Sequence, residues 1–230
     1  MSGLASIARV LAARRALALL LLYVTGATTA VAEADCPIAE TTTYVIDVDA
    51  IVPGSVAVNQ QLTRRQLGAA AAHGGRGNIL GLMHSRLDAR SSTSYGYVES
   101  GRGFCFWLQE VRVILEFPTV EIYVAREYRP GTCPYRAILD HETDHLRVAR
   151  NILDPYAAEM RAALTSLGIP KPNAPWFVPD TEAAKAKVEK LLVRILNPIY
   201  QRMQTDMAEQ QSYLDSHQEY EDVFRRCDNW

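Results

Sequence analysis

The sequence predicts an α+β fold, in which a small antiparallel sheet is followed by a bundle of helices. Before residue 133, short segments either alternate apolar and polar residues or are rich in aromatic and β-branched residues, as strands are. After residue 133, apolar residues recur at helical spacing over long stretches. We therefore expect a strand-rich part over 35–132 and a helical part over 133–230, which together form a single domain.

The strand-rich part divides into several short elements. Residues 44–48 alternate apolar and polar side chains and predict a half-buried strand. A short helix is expected over 60–72, followed by an extended segment over 80–100 that a run of serines interrupts. The segments 104–117 and 120–128 are rich in aromatic and branched residues, and the proline-containing turn between them predicts a β-hairpin.

The helical part begins where a proline suits the first turn of a helix. Pro134 predicts this start, and the pair Asp154 and Pro155 predicts an interruption, with Asp154 as the N-cap of a second helix that ends near Leu167. Four prolines over 170–179 then predict a stiff, extended connector.

Two further helices are expected after the connector. One begins at Asp180 or Thr181 and carries a long apolar stripe, with Pro198 as an expected kink. Ser216, with Glu219 three residues later, forms a capping-box pattern and predicts a final helix.

Residues 1–34 have the pattern of a signal peptide. Three arginines precede an apolar run over 16–24, and the A-x-A sequence at 32–34 suits a signal peptidase. The run is about half of the roughly 20 residues that a membrane-spanning helix needs. We therefore expect a mature chain over 35–230, periplasmic or secreted, with no membrane attachment after cleavage.

Charge and cysteine content narrow the classes of protein further. The formal net charge is −2, which does not favour a nucleic-acid partner. The four cysteines all follow the predicted signal peptide, and an even number in an exported chain predicts two disulfides.

The segment 141–145 reads His-Glu-Thr-Asp-His and lies in a predicted helix. Residues four apart share a helix face, so His141 and His145 can bind one ion, and zinc is the metal expected for this motif. Glu142 lies about 100° around the helix from His141 and can take a proton from a water that the zinc activates. The pattern predicts a zinc hydrolase site.

With this motif, the chain resembles the zincin metallopeptidases, which carry H-E-x-x-H on a helix after a small sheet. Within them it is most similar to a bacterial family of predicted secreted zinc-dependent proteases. The resemblance covers about residues 95–227, with a cysteine-bearing hairpin, the spacing from Tyr135 to His145 and a late Asp-rich segment. It implies a zincin-like domain in which His141 and His145 are zinc ligands and Glu142 is the general base.

Two charged residues depart from the zincin pattern. Asp144 lies between the histidines, where uncharged residues are preferred, and Arg147 replaces an apolar residue two positions after the second histidine. Either the two side chains pair at i, i+3 spacing, or the site is altered.

Catalytic zinc usually takes a third protein ligand. Asn151 occupies the position where the metzincin subclass has a histidine, which excludes that subclass. The segment 215–221 offers the remaining candidates, of which Asp215 ranks first, with Glu219 or His217 as alternatives. Glu219 also fits a capping role and His217 an exposed position.

One of the three possible disulfide pairings supports Asp215. We favour Cys133 with Cys227, and if their helices run antiparallel, Asp215 lies as far back from Cys227 as His145 lies beyond Cys133. Each step along a helix is about 1.5 Å, so the two residues lie at one level.

These features predict an exported zinc peptidase that acts on a peptide or protein substrate. Tyr220, and less directly Tyr156, are candidate donors to the tetrahedral intermediate. The alternatives are a zinc amidase that acts on cell-wall peptides and an inactive binding or scaffold protein that uses the helix after Asp180 to dock a partner.

Overall fold

The computed structural model describes residues 36–37, 42–71 and 79–230. The predicted signal peptide over 1–34 lies outside the described residues, as does the predicted end of the first helix at residue 72. The described residues form an α+β structure with two small sheets and four helices, which confirms the predicted class. The strands are β1 (Val45–Ile51), β2 (Ala57–Asn59), β3 (Gly81–Ser85), β4 (Asp88–Ser100), β5 (Gly103–Glu116), β6 (Val120–Val124) and β7 (Trp176–Val178). The helices are α1 (Arg64–Ala70), α2 (Cys133–Ser166), α3 (Thr181–Leu214) and α4 (His217–Arg225).

The larger sheet is built around β5, which lies between β1 and β4. The strand β4 runs antiparallel to β5 along almost its whole length, through the serine run that the sequence pattern suggested as a break. The first residues of β5 also pair with β7, the strand formed by the proline-rich connector. Alternate β5 side chains such as Val111, Val113 and Leu115 are buried in the main core against α2 and α3.

Both sheets are mixed, so the prediction of an antiparallel sheet is wrong. The strand β1 is parallel to β5, and in the smaller sheet β2 is parallel to β6, while β3 is antiparallel to β6. The alternation of apolar and polar residues identifies a half-buried strand but carries no information about the direction of a partner far along the chain.

The predicted hairpin between β5 and β6 is also absent from the described residues, because these strands belong to different sheets. The turn that contains Pro118 instead carries the chain from one sheet to the other. The hairpin joins β4 to β5 through Gly101 and Arg102, with Ser100 paired to Gly103. Gly101 has φ +58°, in the left-handed region that glycine adopts without steric cost.

The helix α2 continues through Pro155, so the predicted interruption, and with it the N-cap role of Asp154, is wrong. Leu153 and Ala157, on either side of the proline, are both buried in the main core. This packing compensates for the backbone hydrogen bond that a proline cannot make. The start agrees with prediction, since Thr132 caps the helix and Pro134 lies in its first turn.

The helices α3 and α4 begin where the sequence predicts. Asp180 caps α3 by accepting from two backbone N–H groups, and Ser216 caps α4 by accepting from the backbone N–H of Glu219. The two long helices α2 and α3 run antiparallel, as the contacts between Tyr156 and Asp206 and between Glu159 and Arg202 require. None of the described helices combines the length and apolar character that a membrane span requires.

All four cysteines lie in the described residues and form two disulfides, Cys36–Cys105 and Cys133–Cys227. The second is the favoured pairing and fastens the end of α4 to the first residue of α2. A small apolar cluster of Ala137, Val223 and Cys227 packs beside it. Disulfides persist in oxidising compartments, which indicates an extracytoplasmic location.

Candidate metal site

The helix α2 presents His141, Glu142 and His145 to the interior. They are 5%, 3% and 6% exposed and are the buried polar residues of the described part of the chain. Their neighbours Ile138, Leu146 and Ala149 are buried core residues of the same helix. The motif therefore lies on the buried face of an amphipathic helix, whereas a chance motif would be expected on a solvated face.

Asp215 brings a carboxylate to both histidines from the turn between α3 and α4. Its Oδ1 atom lies 3.2 Å from Nε2 of His145 and 3.5 Å from Nε2 of His141. One ligand atom from each of the three residues lies within 4.8 Å of the others. This group could hold a metal ion. Asp215, the first-ranked candidate for the third ligand, therefore lies beside both histidines, at the C-terminal end of α3.

The other candidate ligands lie apart from this cluster. The side chain of His217 is 90% exposed and contacts Glu221, at 3.1 Å. Glu219 lies in the first turn of α4, where its backbone N–H donates to the capping Ser216. The described residues that could hold a metal as a group are His141, His145 and Asp215.

Asp144 and Arg147 pair with each other at 2.5 Å, as one of the two sequence interpretations requires. The arginine side chain is 66% exposed, so the pair lies on the outer face of α2. The two departures from the zincin pattern therefore leave the buried face of the helix unchanged.

Gln211, in the last turn of α3, makes two side-chain hydrogen bonds to His145. Its Nε2 donates to the backbone oxygen of His145 at 2.9 Å, and its Oε1 accepts from Nδ1 of the imidazole. Sequence reasoning did not identify this residue. Its position four residues before Asp215 on a predicted helix was the available signal, because such residues share a face.

Glu142 is enclosed between α2 and β3. A Cβ atom on Gly81 would lie 2.6 Å from Oε1 of Glu142, so glycine allows the strand and the carboxylate to approach. Burial raises the pKa of Glu142 to about 7, although the two histidines and a backbone hydrogen bond from Met83 act to lower it. Without a metal, this carboxyl exchanges its proton near neutral pH. The sequence offered no signal for Gly81, whose role depends on tertiary packing.

Tyr220 of α4 lies on the other side of the cluster. Its ring centroid is 5.2 Å from that of His141. Burial, with the charges of Asp215 and Glu142, raises the pKa of the Tyr220 hydroxyl, which therefore keeps its proton and remains a donor. Tyr156, the other candidate, donates instead to Asp206.

The cluster opens into a cleft of about 640 Å³. The five residues of β3 form one wall, and Met207 and Gln211 of α3 lie on the other. Glu142, His145, Asp215 and Tyr220 all line the cleft. A second cavity, between β4 and α3, is lined by other residues than these.

The donor atoms of the cluster require a positive charge between them. A neutral imidazole has one N–H, and His145 uses it towards Gln211, so its Nε2 lone pair faces the Asp215 carboxylate. Two acceptors at this distance need a proton or a metal ion between them. Nε2 of His141 is buried and has no hydrogen-bond partner in the described structure. The residues present therefore fit a metal ion.

The pKa values of the cluster follow from the same arrangement. Burial acts to lower the pKa of His145, but Asp215 and Gln211 outweigh it and hold that pKa above its ordinary value. Burial acts to raise the pKa of Asp215, but the two histidines hold it well below its usual range. The raised pKa of His145 and the lowered pKa of Asp215 share one cause, which is the attraction between the imidazole and the carboxylate.

A comparison of the chain with protein-family models finds no match, and comparisons with curated proteins and with solved structures find none either.

Proposed function

We propose that this protein is an extracytoplasmic zinc-dependent hydrolase that cleaves peptide bonds. The observation that carries the proposal is the convergence of His141, His145 and Asp215 on one point, beside the buried carboxyl of Glu142. The two disulfides support the location, because they form and persist where thiols are not kept reduced.

Zinc is the metal that we propose for this set of donors, on the H-E-x-x-H spacing of the two histidines. Two imidazole nitrogens and one carboxylate oxygen form a set found in catalytic zinc sites, which leave a fourth position open. Calcium and magnesium prefer sites made of oxygen ligands, which the two histidines do not provide. The position of the cluster on the wall of a cleft leaves room for a water or a substrate oxygen.

Zinc held by His141, His145 and Asp215 would lower the pKa of a bound water and polarise a substrate carbonyl. Glu142 would accept a proton from that water and pass it to the leaving amine, because its buried carboxyl lies on the cleft wall beside the cluster. The protonated hydroxyl of Tyr220 donates to the oxygen on which negative charge develops.

The strand β3 supports a peptide as the substrate. In the smaller sheet, the order β2-β6-β3 leaves the outer edge of β3 unpaired within the described residues. All five residues of β3 line the cleft. An extended peptide can add to such an edge through main-chain hydrogen bonds, which brings its peptide bonds past Glu142.

The first experiment measures the zinc content of the purified mature protein and of three variants. The proposal predicts about one zinc per chain, lost in His141→Ala and retained in Glu142→Gln. His217→Ala is the matched control, because His217 is an exposed histidine paired with Glu221, and it should retain the zinc. A native protein that takes up no zinc after reconstitution would contradict the proposal.

The second experiment tests hydrolysis with a mixture of unfolded proteins, in which cleaved products are identified by mass spectrometry. Native protein should cleave peptide bonds, and Glu142→Gln should lose most of this activity while it keeps its zinc. If the protein binds zinc but hydrolyses neither these unfolded proteins nor cell-wall peptides, a binding or scaffold role would be favoured.

A further inference from the structure

Both polar groups of the Gln211 side chain contact His145, a residue of the metal cluster. Its Oε1 accepts from Nδ1 of His145, and its Nε2 donates to the backbone oxygen of the same residue at 2.9 Å. Its own backbone oxygen accepts from the N–H of Asp215, at 3.3 Å. One side chain therefore holds the second histidine, while the main chain of the same residue holds the carboxylate ligand.

The two side-chain bonds determine one another. The backbone oxygen of His145 can only accept, so the amide nitrogen of Gln211 must face it. The amide oxygen must then face Nδ1, which accordingly carries a hydrogen. Nε2 is left with its lone pair directed towards Asp215 and His141, as a ligand nitrogen requires.

We infer that Gln211 is a positioning residue, which fixes the ring of His145 and sets the level of α3 against α2 at which Asp215 meets both histidines. This inference rests on the proposed metal site. The groups that orient a histidine ligand change metal affinity about 10- to 100-fold when they are removed. Gln211 does not itself contact the metal position and acts through His145 and Asp215.

The test compares three substitutions on α3. Gln211→Leu removes both side-chain bonds and should lower zinc affinity about 10- to 100-fold in a chelator competition. Gln211→Glu keeps an acceptor for Nδ1 but loses the donor to the backbone oxygen of His145, so its zinc affinity should fall less than that of Gln211→Leu. Gln210→Leu makes the same change at the neighbouring exposed position and should leave zinc affinity unchanged.

A spectroscopic readout separates positioning from general stability. In native protein, with or without zinc, the Nδ1–H proton of His145 should give a protected, downfield NMR resonance. The resonance should persist in Gln211→Glu and be lost through exchange in Gln211→Leu. The metal-free protein gives the same resonance. If Gln211→Leu folds poorly, the comparison of native protein with Gln211→Glu therefore still tests the inference.

The outcomes distinguish this inference from the proposed function. Absence of zinc from the native protein contradicts the proposed function. If the native protein binds zinc and the zinc affinity of Gln211→Leu is within two-fold of native, Gln211 has no positioning role. The metal site itself would remain supported. A native His145 without a protected Nδ1–H also overturns it.

Discussion

Gly81 and Glu142 are packed so closely that a single added carbon atom on the glycine would overlap the carboxylate. A Cβ atom there would lie 2.6 Å from Oε1 of Glu142 and 2.6 Å from Cγ2 of Ile138. We therefore expect Gly81→Ala to lower the free energy of unfolding by about 1–3 kcal/mol, as overpacking of a core does. Urea unfolding measures this change.

The control for this substitution is Gly54→Ala. No described atom lies within 4 Å of a Cβ atom at Gly54, so the free energy of unfolding should change by less than about 0.5 kcal/mol. Equal effects of the two substitutions would show that the tight contact at Gly81 is not maintained in solution.

The buried carboxyl of Glu142 makes the stability of the metal-free protein depend on pH. Its pKa is about 7 in the folded chain, against an ordinary value of 4.5. Between these values the folded chain holds a proton that the unfolded chain has released, so the free energy of unfolding falls as pH rises from 4.5 to 7. The expected loss is about 3 kcal/mol.

Urea unfolding of chelator-treated protein at pH 5 and pH 7.5 measures this loss. The raised pKa of His145 contributes a decline of the same sign, so the comparison is made with Glu142→Gln, which retains His145 and cannot titrate at position 142. The glutamine variant should show the smaller decline. The exposed Glu209→Gln serves as a control and should behave as the native protein does. Parallel declines in all three proteins would refute the burial of an ionisable Glu142.

The two disulfides should contribute differently to the metal site. Removing Cys133–Cys227, by substituting both cysteines with alanine, should cost about 2–5 kcal/mol of stability and also weaken zinc binding, because α4 and the Asp215 turn are fastened through it. Removing Cys36–Cys105 should cost a similar amount of stability and leave zinc affinity unchanged. Equal zinc affinities in the two double variants would show that the position of Asp215 does not depend on the Cys133–Cys227 disulfide.

The pair of Asp144 and Arg147 should be dispensable. Their side chains meet on the outer face of α2, and an exposed ion pair contributes about 0–1 kcal/mol. Replacing both by glutamine should leave the zinc content of the protein unchanged. A variant that loses its zinc would indicate that these charges act on the site after all.

Local patterns predicted the elements that carry the site. Pro134 and the Ser216–Glu219 pattern indicated where α2 and α4 begin, and the spacing of His141 and His145 depends on one helix alone. Asp215 was ranked first from a favoured pairing of two cysteines and a rise per residue, and the structure places it at the end of α3 beside both histidines.

Features that depend on distant parts of the chain were not predictable in this way. The directions of β1 and β2 depend on partners more than 60 residues away, and the continuity of α2 through Pro155 depends on core packing on both sides of the proline. Gly81 acquires its role only when β3 packs against α2. Sequence patterns within a short window do not contain this information.

The Cys133–Cys227 bond encloses α2, the proline-rich connector, α3 and α4 in one covalent ring. The connector is therefore not the sole covalent tie between the two long helices. A single proteolytic cut within it leaves two pieces that migrate as one until they are reduced. His141 and His145 then belong to one piece and Asp215 to the other, so the nicked molecule assembles its cluster from two chains that no peptide bond joins.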